Sequence, residues 1–199
     1  MLAGARIHAP LVAILWLALL GPACNSPAEV VRPEALRSTT PGATALVVVY
    51  SRTGHTARAG RAIARVLGAD YLRIQGTGRE GGSLASTPSA WTPVPVQPAS
   101  LDVSRYRLVI LGTPIWYWKP SALAVSFSER LDLRGKDVVL FHTNQGGVRA
   151  AGLAEWRRRI ERRGGRVRDL IGLDRKRLGS ETVEAAAERI TRERQGRWR

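Results

Sequence analysis

The stretch VVVYSRTGHTARAGRAIA, residues 47–64, changes character at Tyr50. Before it the chain is a run of β-branched apolar residues, as expected of a strand buried on both faces. After it come Ser51, Thr53 and Thr56 around a single glycine, Gly54. Gly60, Ile63, Ala64 and Leu67 then follow the i, i+3, i+4, i+7 spacing of one buried helix face. A buried strand therefore enters a helix through a hydroxyl-rich loop. Unpaired N–H groups and the positive end of the dipole at such a helix start hold phosphate well, and hydroxyls add donors. Gly54 lets the backbone come close. Capping of the helix by Ser51 or Thr53 accounts for the same residues equally well. The spacing matches neither the triphosphate loop nor the dinucleotide fingerprint, so a monophosphate suits it better.

Working outward, strand and helix patterns alternate. Strands are expected at 43–50, 70–74, 107–112, 136–143 and 165–173. Helices are expected after residue 54, over 121–131 and 150–163, and from Gly179 or Ser180 onward. Their inward faces are Leu123, Phe127 and Leu131; Leu153, Trp156 and Ile160; and Val183, Ala186, Ala187 and Ile190. Strands joined by helices imply right-handed crossovers and a parallel sheet. The expected fold class is α/β, a three-layer sandwich whose five-stranded parallel sheet takes one of two common layouts, one of them the flavodoxin-like order 2-1-3-4-5. In that order the ligand crevice lies outside the carboxyl ends of strands 1 and 3. Residues 76–100, dense in Gly, Pro and Ser, make a poor helix and read as a loop excursion that either covers the site or is a plain surface insertion. Arg189–Arg199 reads as a polar, fraying tail.

Two more segments reach that crevice. In GTPIWYWKPS, residues 112–121, the aromatics Trp116, Tyr117 and Trp118 follow a strand end, where they serve as a stacking platform or pack under the next helix. In HTNQGG, residues 142–147, Asn144 and Gln145 offer amide donors and acceptors and Gly146–Gly147 opens the backbone. These residues read the edge of a heterocycle or simply form a turn before a helix. His142 ends a strand and reads as packed or capping. No carboxylate pair stands out, Asp102 and Asp132 reading as turn residues. No catalytic side chain and no metal ligand set is assigned.

The N-terminus differs from the rest. Arg6 is the only formally charged residue before Cys24, the single cysteine of the 199-residue chain. The apolar run Leu11–Leu20 is too short to span a bilayer and fits an export signal. With the cysteine just after it, residues 1–23 resemble a bacterial lipoprotein signal, with Cys24 as the lipidated first mature residue. A cleaved soluble signal and an uncleaved anchor are the alternatives. Residues 24–43 read as a flexible linker, 44–194 as the domain and 195–199 as the tail. The expected location is the bacterial cell envelope. The net charge of +15 is either a solvated arginine surface or an attraction to anionic lipid or an acidic protein. No helix-turn-helix, zinc-finger or RNA-binding motif is present, and no nucleic-acid partner is expected.

Together VYSRTGHT, YRLVILGTPIWYWKPS and LRGKDVVLFHTNQGG, in that order and spacing, resemble the flavodoxin family over residues 44–194. The resemblance implies the flavodoxin-like sheet order 2-1-3-4-5 and bound FMN. Ser51, Arg52, Thr53, Gly54, His55 and Thr56 would hold its phosphate. Thr113 leads into Pro114, Ile115, Trp116, Tyr117 and Trp118, which would contact the isoalloxazine. Asn144, Gln145, Gly146 and Gly147 would meet its pyrimidine edge. The implied function is electron transfer, as a carrier with a redox partner protein or as a small NAD(P)H:quinone-type reductase with small donors and acceptors. The alternative is a non-catalytic lipoprotein of the same fold that binds through its basic surface, including WRRRIERR at 156–163. The chain departs from electron-carrying flavodoxins in being basic, in having no glycine within 114–119, and in combining an export signal with no twin arginine.

Overall fold

The computed structural model describes residues 30–31, 41–77 and 91–198. Cys24, the apolar run before it and residues 78–90 of the loop excursion lie outside them. Five parallel strands carry the fold: β1 (Ala45–Tyr50), β2 (Asp70–Gly76), β3 (Leu108–Trp116), β4 (Asp137–Asn144) and β5 (Arg166–Asp174). Their order in the sheet is β2-β1-β3-β4-β5, the expected 2-1-3-4-5 arrangement. The switch point falls between β1 and β3, both of which run outward to the same end. Four helices connect and cover the sheet: α1 (His55–Leu67), α2 (Ala122–Ser128), α3 (Ala150–Arg162) and α4 (Val183–Arg194).

The alternation of side chains along the strands sorts the core into two layers. Val48, Leu111, Val138 and Leu140 pack with Phe127, Trp156 and Ile160 under α2 and α3. Val49, Ile110, Val139 and Phe141 pack with Ile63, Ala186 and Ala187 under α1 and α4. This is a three-layer sandwich, and the chain has the flavodoxin-like fold.

The structure also departs from the sequence expectations. Expected over 121–131, α2 ends at Ser128, and its last turn tightens: Arg130 N–H donates to Phe127 O at 2.9 Å and Leu131 N–H to Ser128 O at 3.4 Å. Leu131 stays fully buried. In α4 Ile190 packs half-buried against the core as expected, and Thr191 beside it is fully buried, its hydroxyl donating to Ala187 O at 2.6 Å and so needing no solvent. Residues 91–101 do not merely loop outward. Val96–Gln97 pairs antiparallel with the edge of β2, Val94 and Val96 are buried, and Ser100–Leu101 pairs parallel with Val30–Val31. The segment expected to fray is docked. α4 runs to Arg194, residues 195–197 add a 3₁₀ turn, and Trp198 is 1% exposed, its Nε1–H donating to Asp169 at 3.1 Å. A large indole with a satisfied N–H outweighs the polar composition around it.

Candidate functional site

Parallel strands send β1, β3 and β4 to one end of the sheet, so the three segments singled out in the sequence meet there. Ser51 is buried and its carbonyl accepts from Arg73 Nη2 at 2.6 Å, which ties the first loop to β2. Gly54 is the N-cap of α1 at φ 91°, a left-handed conformation that suits glycine. No side chain caps this helix. The N-cap is thus neither Ser51 nor Thr53. They do not cap α1, and its first-turn N–H groups remain open to a ligand.

Positive charge surrounds that helix start. The His55 ring lies between two guanidinium groups, with Arg58 Nη2 2.8 Å from Nδ1 and Arg175 Nη1 in contact with Nε2. Burial and these two arginines, Arg175 then Arg58, hold its pKa below the usual value, against the opposing Glu184. A neutral imidazole has one acceptor nitrogen, whereas guanidinium groups only donate. Both contacts therefore cannot be good hydrogen bonds, and an anion placed among the three groups would accept from each. Arg58 is also paired with Glu184 at 2.6 Å.

Thr56 turns inward. Its Oγ1 hydrogen-bonds the Oγ1 of Thr143 at 2.7 Å, both residues buried, and fastens the start of α1 to the end of β4. Arg52, in the same loop, lies beside the second segment. Its guanidinium lies 5.9 Å from the ring centroid of Trp116, which in turn meets Tyr50 edge-on at 5.7 Å.

The second segment is a hairpin. The end of β3 pairs antiparallel with Lys119–Pro120, matching Trp116 with Lys119 and leaving a two-residue turn of Tyr117 and Trp118. Their φ values are 47° and 61°, the conformation of type I′ turns, which Asn-Gly ordinarily fills. Two aromatic residues hold it here under strain, and they are the exposed large hydrophobic residues among those described, at 61% and 51%. Thr113 is fully buried beneath the hairpin. Its hydroxyl donates to Pro114 O at 3.0 Å and accepts from Ser121 N–H at 2.9 Å, so it braces the turn from inside. Pro114 is buried, while Ile115 and Trp116 are half-buried.

In the third segment Asn144 is buried, whereas Gln145, Gly146 and Gly147 are exposed. Gly146 and Gly147 have φ of 113° and 118°, open to glycine and strained for other residues. Asn144 Oδ1 is buried without a hydrogen-bond partner. Arg149 N–H donates to Trp118 O at 3.1 Å, with the Arg149 guanidinium 5.1 Å from the Trp118 ring centroid, so this loop is fixed to the hairpin tip.

Sequence reading missed Arg175. It lies just past β5, its N–H donates to Asn144 O at 3.0 Å, and its guanidinium contacts both His55 and Gln145. One side chain thus spans the first and third loops. The available signal was position: DRKR, residues 174–177, places cations directly after the carboxyl end of a strand.

No protein-family model matches the sequence, and no curated protein matches it. Solved structures do resemble the fold. A protein classed as a flavoprotein from Bacteroides uniformis superposes with a TM-score of 0.60 at 20% identity, covering 76% of this chain and 99% of that one. Another so classed, from Bacteroides eggerthii, gives 0.58 at 21% identity, covering 75% and 96%. A Lactobacillus acidophilus flavoprotein in complex with FMN gives 0.51 at 16% identity, covering 67% and 95%. At these identities the likeness is one of fold, and it agrees with the strand order: the chain is a flavodoxin-like α/β protein.

Proposed function

We propose that this protein binds FMN at the carboxyl end of the sheet and transfers electrons through it, tethered to a cell-envelope membrane by lipidated Cys24. The observation that carries the reading is the uncapped start of α1 at Gly54, ringed by His55, Arg58 and Arg175. Its N–H groups and cations fit a phosphate dianion. The rest of the site fits the remainder of the cofactor. Trp116 and Tyr117 offer apolar surface for a planar ring, and the buried carboxamide of Asn144 at the end of β4 offers a polar group at its edge. FMN, when bound, supplies the electron-carrying ring. The chain's own residues anchor the phosphate, stack on the ring, keep water from its buried edge and leave Tyr117 and Trp118 exposed toward an exchanging partner. The resemblance to a flavoprotein in complex with FMN supports the same reading.

The rival reading, a scaffold acting through its basic α3 face, gains little from the geometry. Arg157 pairs with Glu161, Arg158 and Arg162 with Glu155, and Arg159 with Glu129 and Glu155. These arginines sit in ion-pair networks on the protein itself. Titration of the full chain with FMN, followed by visible absorption and tryptophan emission, tests the proposal. Tight one-to-one binding with quenched emission is expected. A colourless protein that leaves FMN emission unchanged would sink it.

A further inference from the structure

Among the described residues three buried side-chain polar atoms have no hydrogen-bond partner: Asp70 Oδ1, His142 Nδ1 and Asn144 Oδ1. Asp70 lies at the opposite end of the sheet, where its other oxygen accepts from Tyr106 at 2.6 Å. The remaining two lie two residues apart on β4. In a strand that spacing puts both side chains on one face, about 7 Å apart along the chain. It is the face of Val138 and Leu140, under α2 and α3. His142 and Asn144 are 4% and 6% exposed.

Room for the imidazole is built into the neighbouring strand. His142 stands opposite Gly172 on β5, and a Cβ at Gly172 would lie 3.1 Å from both Cε1 and Nε2 of the ring. The ring is uncharged at neutral pH. Burial pulls its pKa down to about 4, while Asp174 and the adjoining Asn144 carboxamide act the other way. A neutral imidazole protonated on Nδ1 is a donor, and an amide oxygen is an acceptor. The two orphans are therefore complementary, and one hydrogen bond between them satisfies both. Left apart, each carries the desolvation cost of a buried, unpaired polar group.

We infer that His142 is a positioning residue: Nδ1–H holds Asn144 Oδ1 inward, so that the amide NH₂ of Asn144 is presented to a carbonyl on the edge of the bound heterocycle. This rests on the FMN reading above. The Asn144 backbone is already fixed by the Arg175 N–H, so the only freedom left to the carboxamide is the side-chain rotation that this bond removes. The carbonyl-bearing pyrimidine edge of a flavin has the matching acceptors.

The test uses the full chain loaded with FMN. Long-range ¹H–¹⁵N NMR of the histidine rings reads the tautomer of His142, and the expected form carries its proton on Nδ1. FMN dissociation constants are measured in parallel for His142→Leu, Asn144→Ala and the double variant. Each single change is expected to weaken FMN about tenfold, and the double change no more than either alone. FMN binding with the proton on Nε2 overturns the inference and leaves the FMN reading standing, as do additive losses near a hundredfold. Failure of the unaltered chain to bind FMN overturns both. The tautomer is read without any substitution, so variants that fail to fold do not decide the outcome.

Discussion

Thr56 and Thr143, 87 residues apart in the chain, share one buried hydrogen bond of 2.7 Å between their hydroxyls. It joins the first turn of α1 to the end of β4, and thus the candidate phosphate loop to the loop that follows Asn144. Thr143→Val keeps the shape and removes one hydroxyl, leaving the other buried and unpaired. Stability should fall by about 1–3 kcal/mol in urea unfolding, and FMN affinity should fall with it. No change in either would mean that the bond fastens nothing.

Gly54→Ala addresses the phosphate site directly. Space is not the obstacle, since a Cβ there would meet only Arg58 Nη1 at 3.7 Å. The backbone is, because φ is 91°. Strain of about 1–3 kcal/mol is expected to shift the loop and misdirect the first-turn N–H groups. FMN should lose its advantage over riboflavin, which has no phosphate. Equal losses for both ligands would place the effect elsewhere.

Arg175→Gln removes the cation shared by His55 and Gln145. FMN affinity should drop about tenfold or more, and its dependence on salt should become shallower. Riboflavin binding should change little. Titrations at low and high ionic strength decide the point.

His142 makes stability depend on pH with a definite sign. Its pKa falls from the ordinary 6.5 to about 4 in the folded protein, chiefly through burial. The unfolded chain therefore takes up the proton first. The contribution of the neutral ring is fully present above about pH 6.5, is lost as pH falls toward 4, and is flat below. The loss approaches about 3 kcal/mol. Unfolding curves of the unaltered chain and of His142→Leu should converge in this window after allowance for the carboxylates common to both.

Replacing Tyr117 and Trp118 by Asn and Gly supplies the residues that a turn with two positive φ values favours. Thermal unfolding should shift upward by the equivalent of about 1–2 kcal/mol. Electron exchange with small quinones should slow, because the exposed aromatic surface is gone. A more stable protein with unaltered exchange would mean that the strained pair has another purpose.

Most of the sheet order was legible because its signals are local and strong. The Val run of β1 and the apolar centres of β3 and β4 have no reading other than buried strands. Gly54 and the hydroxyls around it marked the loop at the start of α1 as a candidate phosphate loop, but left capping and binding unresolved, because both use the same residue types. The structure places Gly54 at the N-cap, with no side-chain cap, which no residue type in the loop dictates. Thr113 was readable as a polar residue in a site segment, yet its partners, Pro114 O and Ser121 N–H, exist only once the hairpin has formed. Arg175 and Trp198 were illegible for a related reason. Each sits in a polar, arginine-rich stretch whose composition predicts exposure, and each owes its place to a partner far along the chain: His55 for one, Asp169 for the other. Thr191 shows the same limit on a smaller scale, since a hydroxyl that bonds its own helix behaves as an apolar residue.

The contacts of Arg175 and Arg149 link the three loops in series. Arg175 joins the first loop to the third, and the Arg149 N–H joins the third to the hairpin tip. Loops linked in this way are not three independent flaps. A ligand held beneath linked loops would leave by the easiest opening, so its residence time would follow the weakest joint as well as its own contacts. Trp118 is itself one of these joints, and Tyr117 is its neighbour at the exposed hairpin tip. A molecule resting on the hairpin tip would therefore press on the same joint that holds the third loop, so that exchange at the tip and release from the crevice would be coupled events.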